Sequence, residues 1–180
     1  MAKPDKVAAI ISAAENMVRD GGYNSFSFRT IADEVGIKSA SVHYHFPTKE
    51  DLGIAVAEHY TDRFMAALGD PVALVEAGKN PIDTYIAAFR AALEKDKKMC
   101  LCGLLGAEAR GLPDGVVEAT RTFFKNNVAW LTTALVATGR SADPETEAYQ
   151  IVALLEGALI TANVLDDITA FDKAVARLAA

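Results

Sequence analysis

This chain of 180 residues has two cysteines, three histidines, no basic surplus and no evident run of some 18 apolar residues. Each shortage narrows what it can be. Cys100 and Cys102 are too few for a disulfide framework, and two residues apart they are poorly spaced for a structural disulfide, so free thiols in a reducing compartment are expected. "MAKPDKVAAIISAAENMVRD" offers no sustained apolar core with a cleavage site, so neither a leader nor a membrane partner is expected and the protein reads as cytoplasmic. The histidines, His43, His45 and His59, all fall in the first third and leave the thiols without a partner base. No phosphate loop or metal-ligand pattern occurs, and His43 and His45 would point about 160° apart on a helix. No catalytic residue, metal or cofactor is therefore expected, and an enzyme is not the expected class.

Period-two alternation is missing as well, which excludes an extensive sheet, while apolar residues recur at helical spacing almost throughout. The expected fold is all-α, with about nine helices. Val7, Ile10, Ile11, Ala14, Met17 and Val18 form a first stripe, stopped by "DGG" at 20 to 22. A second helix runs from about Phe28 to Val35 between a Ser27 cap and a Gly36 stop, and a short third from about Ser39 to His45 ends before Pro47. Thr48 and Asp51 form a variant capping box for a fourth, with Leu52, Ala55, Val56, His59, Tyr60 and Phe64 expected inward. "GDP" at 69 to 71 and "GKNP" at 78 to 81 read as breakers around a short apolar piece. Later helices are expected over about 81–94, 99–110, 114–138, 144–165 and 168–178, with Val117, Thr120, Phe123, Phe124, Val128, Leu131 and Leu135 on the inner face of the longest.

The third helix is too short to be stable alone. Its neighbours explain it. In "FRTIADEVGIKSASVHYHF", Ala32 is small where two helices touch, Gly36 tolerates the turn, and Val42, ten residues after the alanine, plugs the gap; this is the spacing of a helix-turn-helix. With Val42 and Phe46 inward, Ala40 and Tyr44 face away from the core, flanked by Ser41 and His43. Ser39 at the helix start, Arg29 on the preceding helix and Lys49 in the first turn of the fourth are further candidates for a DNA groove and its phosphates. Charge permits this. The net charge is −6, yet residues 1 to 50 are balanced and the remainder carries the whole deficit.

"TIADEVGIKSASVHYHFPTKEDL" resembles the N-terminal signature of the TetR family of bacterial transcription regulators, over about residues 7 to 60. The resemblance implies an all-helical homodimer, with a helix-turn-helix DNA-binding domain over 1–47 and a larger effector-binding and dimerisation domain over 48–180. It implies binding to a palindromic double-stranded operator, mostly for repression, and release by a small-molecule effector. Carried position by position, it implies DNA contacts from Arg29, Ser39, Ala40, Ser41, His43, Tyr44 and Lys49. Three positions depart from the pattern: Lys38 replaces the usual serine, Ala40 the frequent glycine and His43 the tyrosine. Operator preference does not transfer, and a histidine at 43 is expected to make a phosphate contact weaker or pH-sensitive.

For the effector pocket the expected lining is Phe89, Cys102, Phe123 and Trp130, drawn from the later aromatics and the segment "MCLCGLLGAEARGLP", with Glu108 and Arg110 either orienting a ligand or forming a solvated helix end. Cys100 or Cys102, beside Lys97 and Lys98 near a helix start, reads either as a thiol responsive to oxidants and electrophiles or as a small packing residue. In the last two helices Ala148, Ile151, Val152, Leu155, Ala158, Leu159 and Ala162, with Phe171, Val175 and Leu178, form a core face. A second apolar set, Leu154 and Ile160, leaves surface for a homodimer partner.

Overall fold

A computed structural model describes residues 5–96 and 98–178, those at 95 and 96 by backbone alone. Every regular element among them is helical: α1 (Lys6–Gly21), α2 (Phe28–Val35), α3 (Ser39–His45), α4 (Lys49–Leu68), α5 (Pro71–Glu76), α6 (Pro81–Asp96), α7 (Leu101–Ala107), α8 (Asp114–Thr138), α9 (Pro144–Leu165) and α10 (Ile168–Val175). Short 3-10 turns follow α1 at Tyr23–Ser25 and α7 at Ala109–Gly111.

Aspartates start four of these helices. Asp5, Asp70, Asp143 and Asp167 each accept a backbone N–H two or three residues on, from Val7 (3.0 Å), Val72 (2.9 Å), Thr146 (3.2 Å) and Thr169 (2.9 Å). This chemistry adds α5 to the helices the periodicity predicts. "GDP" reads as a break, but Asp70 is a cap and Pro71 fits a first turn, where its missing N–H costs nothing.

Packing divides the chain into two compact units, Met1–Asp62 with Leu101–Phe123, and Arg63–Cys100 with Phe124–Ala180. These packing units do not follow the functional division expected at 47/48, since the chain passes between them within α4, just before α7 and within α8. In the first unit α1 packs on α2, on the first 3-10 turn and on α7, and α2 packs on α3. In the second, α6, α9 and α10 pack on one another and α5 packs on α6. Arg90 of α6 makes a two-pronged ion pair with Asp172 of α10, Nε–Oδ1 2.7 Å and Nη2–Oδ2 3.2 Å.

Two inner faces differ from their expected stripes. In α8 the buried set is Val116, Ala119, Thr120, Phe123, Asn127, Trp130, Leu131, Ala134 and Leu135, so Val117, Phe124 and Val128 are only half-buried. A buried asparagine breaks the apolar pattern and hides the register of the face. In α4 the buried face runs through Leu52, Gly53, Val56, Ala57, Tyr60 and Thr61, which turns His59 to solvent and leaves Ala55 and Phe64 half-buried.

Helix α9 corrects the expectation that no stretch is apolar and long enough to cross a membrane. By length and composition it is, with a mean hydropathy of 1.5 over its most apolar window. Within the second unit its seven inner residues, Ala148 to Ala162, are buried as expected, against α6 and α10. Ile160, Val164 and Leu165 are exposed, Val164 to 76%. The helix is therefore apolar on two faces, and its own unit covers one of them.

Candidate functional site

The first unit builds a helix-turn-helix from local signals. At the start of α2, Ser27 Oγ accepts the Thr30 N–H (3.2 Å) while Thr30 Oγ1 accepts the Ser27 N–H (2.9 Å), a reciprocal cap. At its end Gly36 has φ 72° and ψ 36°, the left-handed conformation. A Cβ there would meet nothing within 4 Å, so backbone conformation alone, and not crowding, asks for glycine. The Ile37 N–H then returns to Ala32 O at 2.9 Å. Ala32 and Ile31 are buried at the contact and Val42 is fully buried, as the spacing requires.

Helix α3 buries Val42 and little else, with Phe46 sealing its end. Ala40, His43 and Tyr44 are exposed, Tyr44 to 83%, and Ser39 and Ser41 are half-buried beside them. Arg29 is exposed on α2. The His43 ring stands edge-on to Phe28 with centroids 4.5 Å apart, which fixes the side of α3 on which its nitrogens lie. His45 is half-buried against the Tyr44 ring. A shallow concavity of about 450 Å³ runs along this face, lined by Lys6, Lys38, Ala40, Ser41, Tyr44 and His45. Lys6 was not among the expected contacts. It enters the wall because α1 begins beside α3, a placement no local sequence signal carries.

Lys49 is held differently from a free surface cation. Thr48 caps α4 as expected, its Oγ1 accepting the Asp51 N–H at 3.1 Å while Asp51 Oδ2 accepts the Thr48 N–H at 2.9 Å. The Lys49 ammonium then lies 4.5 Å from the Phe26 ring centre and 4.8 Å from that of Tyr23. Burial against these rings lowers its pKa below the ordinary lysine value. The platform is itself anchored: Tyr23 N–H donates to Glu108 Oε2 at 2.9 Å, and Gly115 N–H donates to Glu50 Oε1 at 3.0 Å. These two bonds tie the 101–123 segment to the helix-turn-helix. Glu108 thus has a structural partner in the first unit, and Arg110 is exposed.

Of the four residues expected to line an effector pocket, the structure brings two together. Phe89 and Trp130 belong to the second unit, Cys102 and Phe123 to the first, and all four are buried. In the second unit Tyr85 stacks on Trp130 (centroids 5.7 Å, 24° between planes) and tilts against Phe89 at 5.1 Å. Phe64 stands edge-on to both Tyr85 and Phe89. The polar ends of this cluster are satisfied: Tyr85 O–H donates to Asn127 Oδ1 (2.8 Å) and Trp130 Nε1–H to the Gly69 carbonyl (2.7 Å).

Both thiols are buried, and Lys97, which the sequence places beside them, lies outside the described residues. Cys100 has an unexpected neighbour in Glu156 of α9. Both Glu156 carboxylate oxygens are buried and meet no N–H or O–H donor. Burial pushes its pKa up to about 7, an effect that the nearby Cys100 thiol opposes. Tyr85 is raised well above the ordinary tyrosine value, by burial first and then by Glu156 and Cys100. Sequence reasoning missed Glu156 because one acid between Leu155 and Gly157 looks like an exposed break in an apolar stripe.

An all-helical chain that cradles a seven-residue helix between two longer ones and turns its polar face outward is a helix-turn-helix protein. Residues 10–56 match the family described as "Bacterial regulatory proteins, tetR family". The crystal structure of a TetR transcriptional regulator from Legionella pneumophila is 33% identical, covers 97% of this chain and 95% of its own, and superposes with a TM-score of 0.87. A TetR-family transcriptional regulator from Agrobacterium tumefaciens is 29% identical over 96% of this chain and 95% of its own, with a TM-score of 0.82. The HTH-type transcriptional repressor KstR2 of Mycobacterium tuberculosis is 28% identical over 85 residues, 47% of this chain but only 41% of the repressor. The chain belongs to the TetR family.

Proposed function

We propose that this protein is a cytoplasmic, ligand-responsive transcription regulator that binds a palindromic double-stranded operator as a homodimer and represses until a small molecule releases it. The observation that carries the reading is the division of labour on α3: Val42 is fully buried, while Ala40, His43 and Tyr44 face solvent, with Lys6 and Lys38 beside Ala40 and Tyr44 and Arg29 exposed on α2. A short helix that keeps its packing on one residue and its polar groups on the open side suits the major groove, with the flanking cations on phosphates. Arg29, Ser39, Ala40, Ser41, His43, Tyr44 and Lys49 are the proposed contacts. For Lys49 the two rings beneath the ammonium would aim it, since a cation seated on aromatic faces loses less side-chain freedom on meeting a phosphate.

In this reading residues 1–47 bind DNA and residues 48–180 bind the effector and the partner subunit. The uncovered apolar face of α9, continued by α10, forms the dimer interface, two helices from each subunit. Effector binding would favour a dimer whose two recognition helices no longer match both half-sites, which lowers operator affinity by differential binding to two states. The test is an anisotropy titration with DNA from the region beside the protein's own gene, at two salt concentrations and against random competitor. Tight, competitor-resistant and salt-sensitive binding is expected. Binding no tighter than to random DNA, across the flanking intergenic regions, would overturn it.

A further inference from the structure

Glu156 is a charge without a stated purpose. In the second unit its two oxygens are buried and meet no N–H or O–H donor, and native structures rarely leave such groups without a reason. The obvious donors are committed elsewhere or weak. Tyr85 gives its hydroxyl proton to Asn127 at 2.8 Å, and the Cys100 thiol is a poor donor. No lysine, arginine or histidine among the described residues enters its titration. Replacing it by a leucine or glutamine would remove an unpaired buried charge at little structural expense, so packing does not explain it. A carboxylate that the protein answers with nothing stronger than a thiol suits a partner from outside.

The surroundings select that partner. Tyr85, which lies close enough to feel the carboxylate, is stacked on Trp130 and flanked by Phe89 and Phe64. Aromatic faces attract cations and repel anions, and a single carboxylate at the edge of such a cluster completes the pattern. An anionic effector would meet like charge, and a neutral alcohol would supply one hydrogen bond without relieving the charge.

On the reading that this chain is a ligand-responsive regulator, we infer that Glu156 anchors the effector and that the effector is an organic cation, a protonated amine carried on an apolar or aromatic body. Its N–H groups would take both carboxylate oxygens while its body lies against Tyr85, Trp130 and Phe89. Solvent does not reach the carboxylate, so an entering amine has to part α9 from the helices packed on it, α6 among them. Occupancy is thereby bound to a rearrangement inside the unit, which is what a releasing ligand requires. Binding also depends on protonation: a carboxyl titrating near neutrality is largely neutral at pH 6 and charged at pH 8, with Tyr85 and Cys100 the titratable groups that face it.

The experiment uses the full-length protein with matched probes: 2-phenylethylamine and longer alkyl and aryl amines, each beside its alcohol and carboxylate isostere. Calorimetry and thermal shift are read at pH 8 and pH 6. Amines are expected to bind at least tenfold tighter than their alcohols at pH 8, the carboxylates not to bind, and the preference to shrink several-fold at pH 6. Glu156→Gln should abolish the preference, and Glu156→Asp, which keeps the charge on a shorter arm, should retain it at reduced affinity. Equal binding of amines and alcohols, or a preference that survives in Glu156→Gln, would overturn the inference. Operator binding is titrated in parallel. Amine binding without operator release sinks the regulatory reading and leaves the cation site standing; operator binding that only anions or neutral compounds release does the reverse.

Discussion

Glu108 accepts a 2.9 Å hydrogen bond from the backbone N–H of Tyr23, 85 residues away in the chain. The Tyr23 ring in turn lies under Lys49, so one carboxylate after α7 steadies the surface that aims a cation at the start of α4. Beside it Gly22 adopts φ 81° and ψ 179°, which side-chain-bearing residues avoid, and a Cβ there would stand 2.0 Å from Glu108 Oε1. Gly22→Ala therefore combines backbone strain with displacement of Glu108 and is expected to cost about 1–3 kcal/mol. Glu108→Ala, losing only the partly exposed bond, should cost about 1 kcal/mol. Urea unfolding of the two variants should rank them in that order.

Tyr44 and Arg29 are exposed, and the ring contact Tyr44 makes is with its own neighbour His45. Alanine at either position should leave the unfolding midpoint within error and weaken operator binding by about 1–3 kcal/mol, five- to a hundredfold. Val42→Ala is the counterpart, expected to reduce stability by about 1–2 kcal/mol through lost burial and a residual cavity. Unfolding curves and anisotropy titrations on the same preparations separate the two effects.

Lys49→Gln removes the cation from the Tyr23 and Phe26 rings and should lower stability by about 0.5–1 kcal/mol. If the same ammonium meets a phosphate, the slope of log affinity against log salt should become shallower by about one. An unchanged slope would confine Lys49 to a packing role.

Glu156 makes stability depend on pH in the direction opposite to that of a salt-bridged acid. Its folded pKa is raised to about 7 from an unfolded value of 4.5, so between those pH values the native state holds the proton more tightly than the unfolded state does. Stability is thus lost as pH rises through that window, by up to about 3 kcal/mol at 1.36 kcal/mol per unit. Glu156→Gln is expected to be more stable than the wild type at pH 8 and to differ little at pH 4.5. Thermal unfolding across pH 4.5–8 measures this.

The apolar outer face of α9 should hold two copies together. Ile160→Asp with Val164→Asp places charges where a partner is proposed, at positions that already meet solvent in the single chain. Sedimentation should show monomers that keep full helicity, and operator affinity should fall with the loss of the second half-site.

The helix-turn-helix was legible because its determinants are local. The Ser27 cap, the Gly36 stop, and Thr48 with Asp51 each act within a turn, and Val42 is placed by spacing from Ala32. The site's supports were not. Glu108 reaches Tyr23 across 85 residues, and the aromatic seat of Lys49 comes from a 3-10 turn and the residue after it, where no periodicity applies. Asn127 and Glu156 were missed for a shared reason: hydrophobic patterning assigns polar residues to solvent, and these two have their polar groups inside. α5 was missed because Asp70 and Pro71, residues that end one helix, also begin the next.

Helix α3 owes its existence chiefly to Val42, Phe46 and its two neighbours, and its outward residues add only small contacts, such as the His43 ring against Phe28. Ala40, Ser41, His43 and Tyr44 can therefore be exchanged with little thermodynamic penalty, and the departures from the family pattern at 38, 40 and 43 are substitutions of that kind. Operator preference is free to drift between relatives while the scaffold stays constant. The same freedom makes these four positions a library: randomised together, they should yield stable proteins with new sequence preferences, and selection could act on recognition alone.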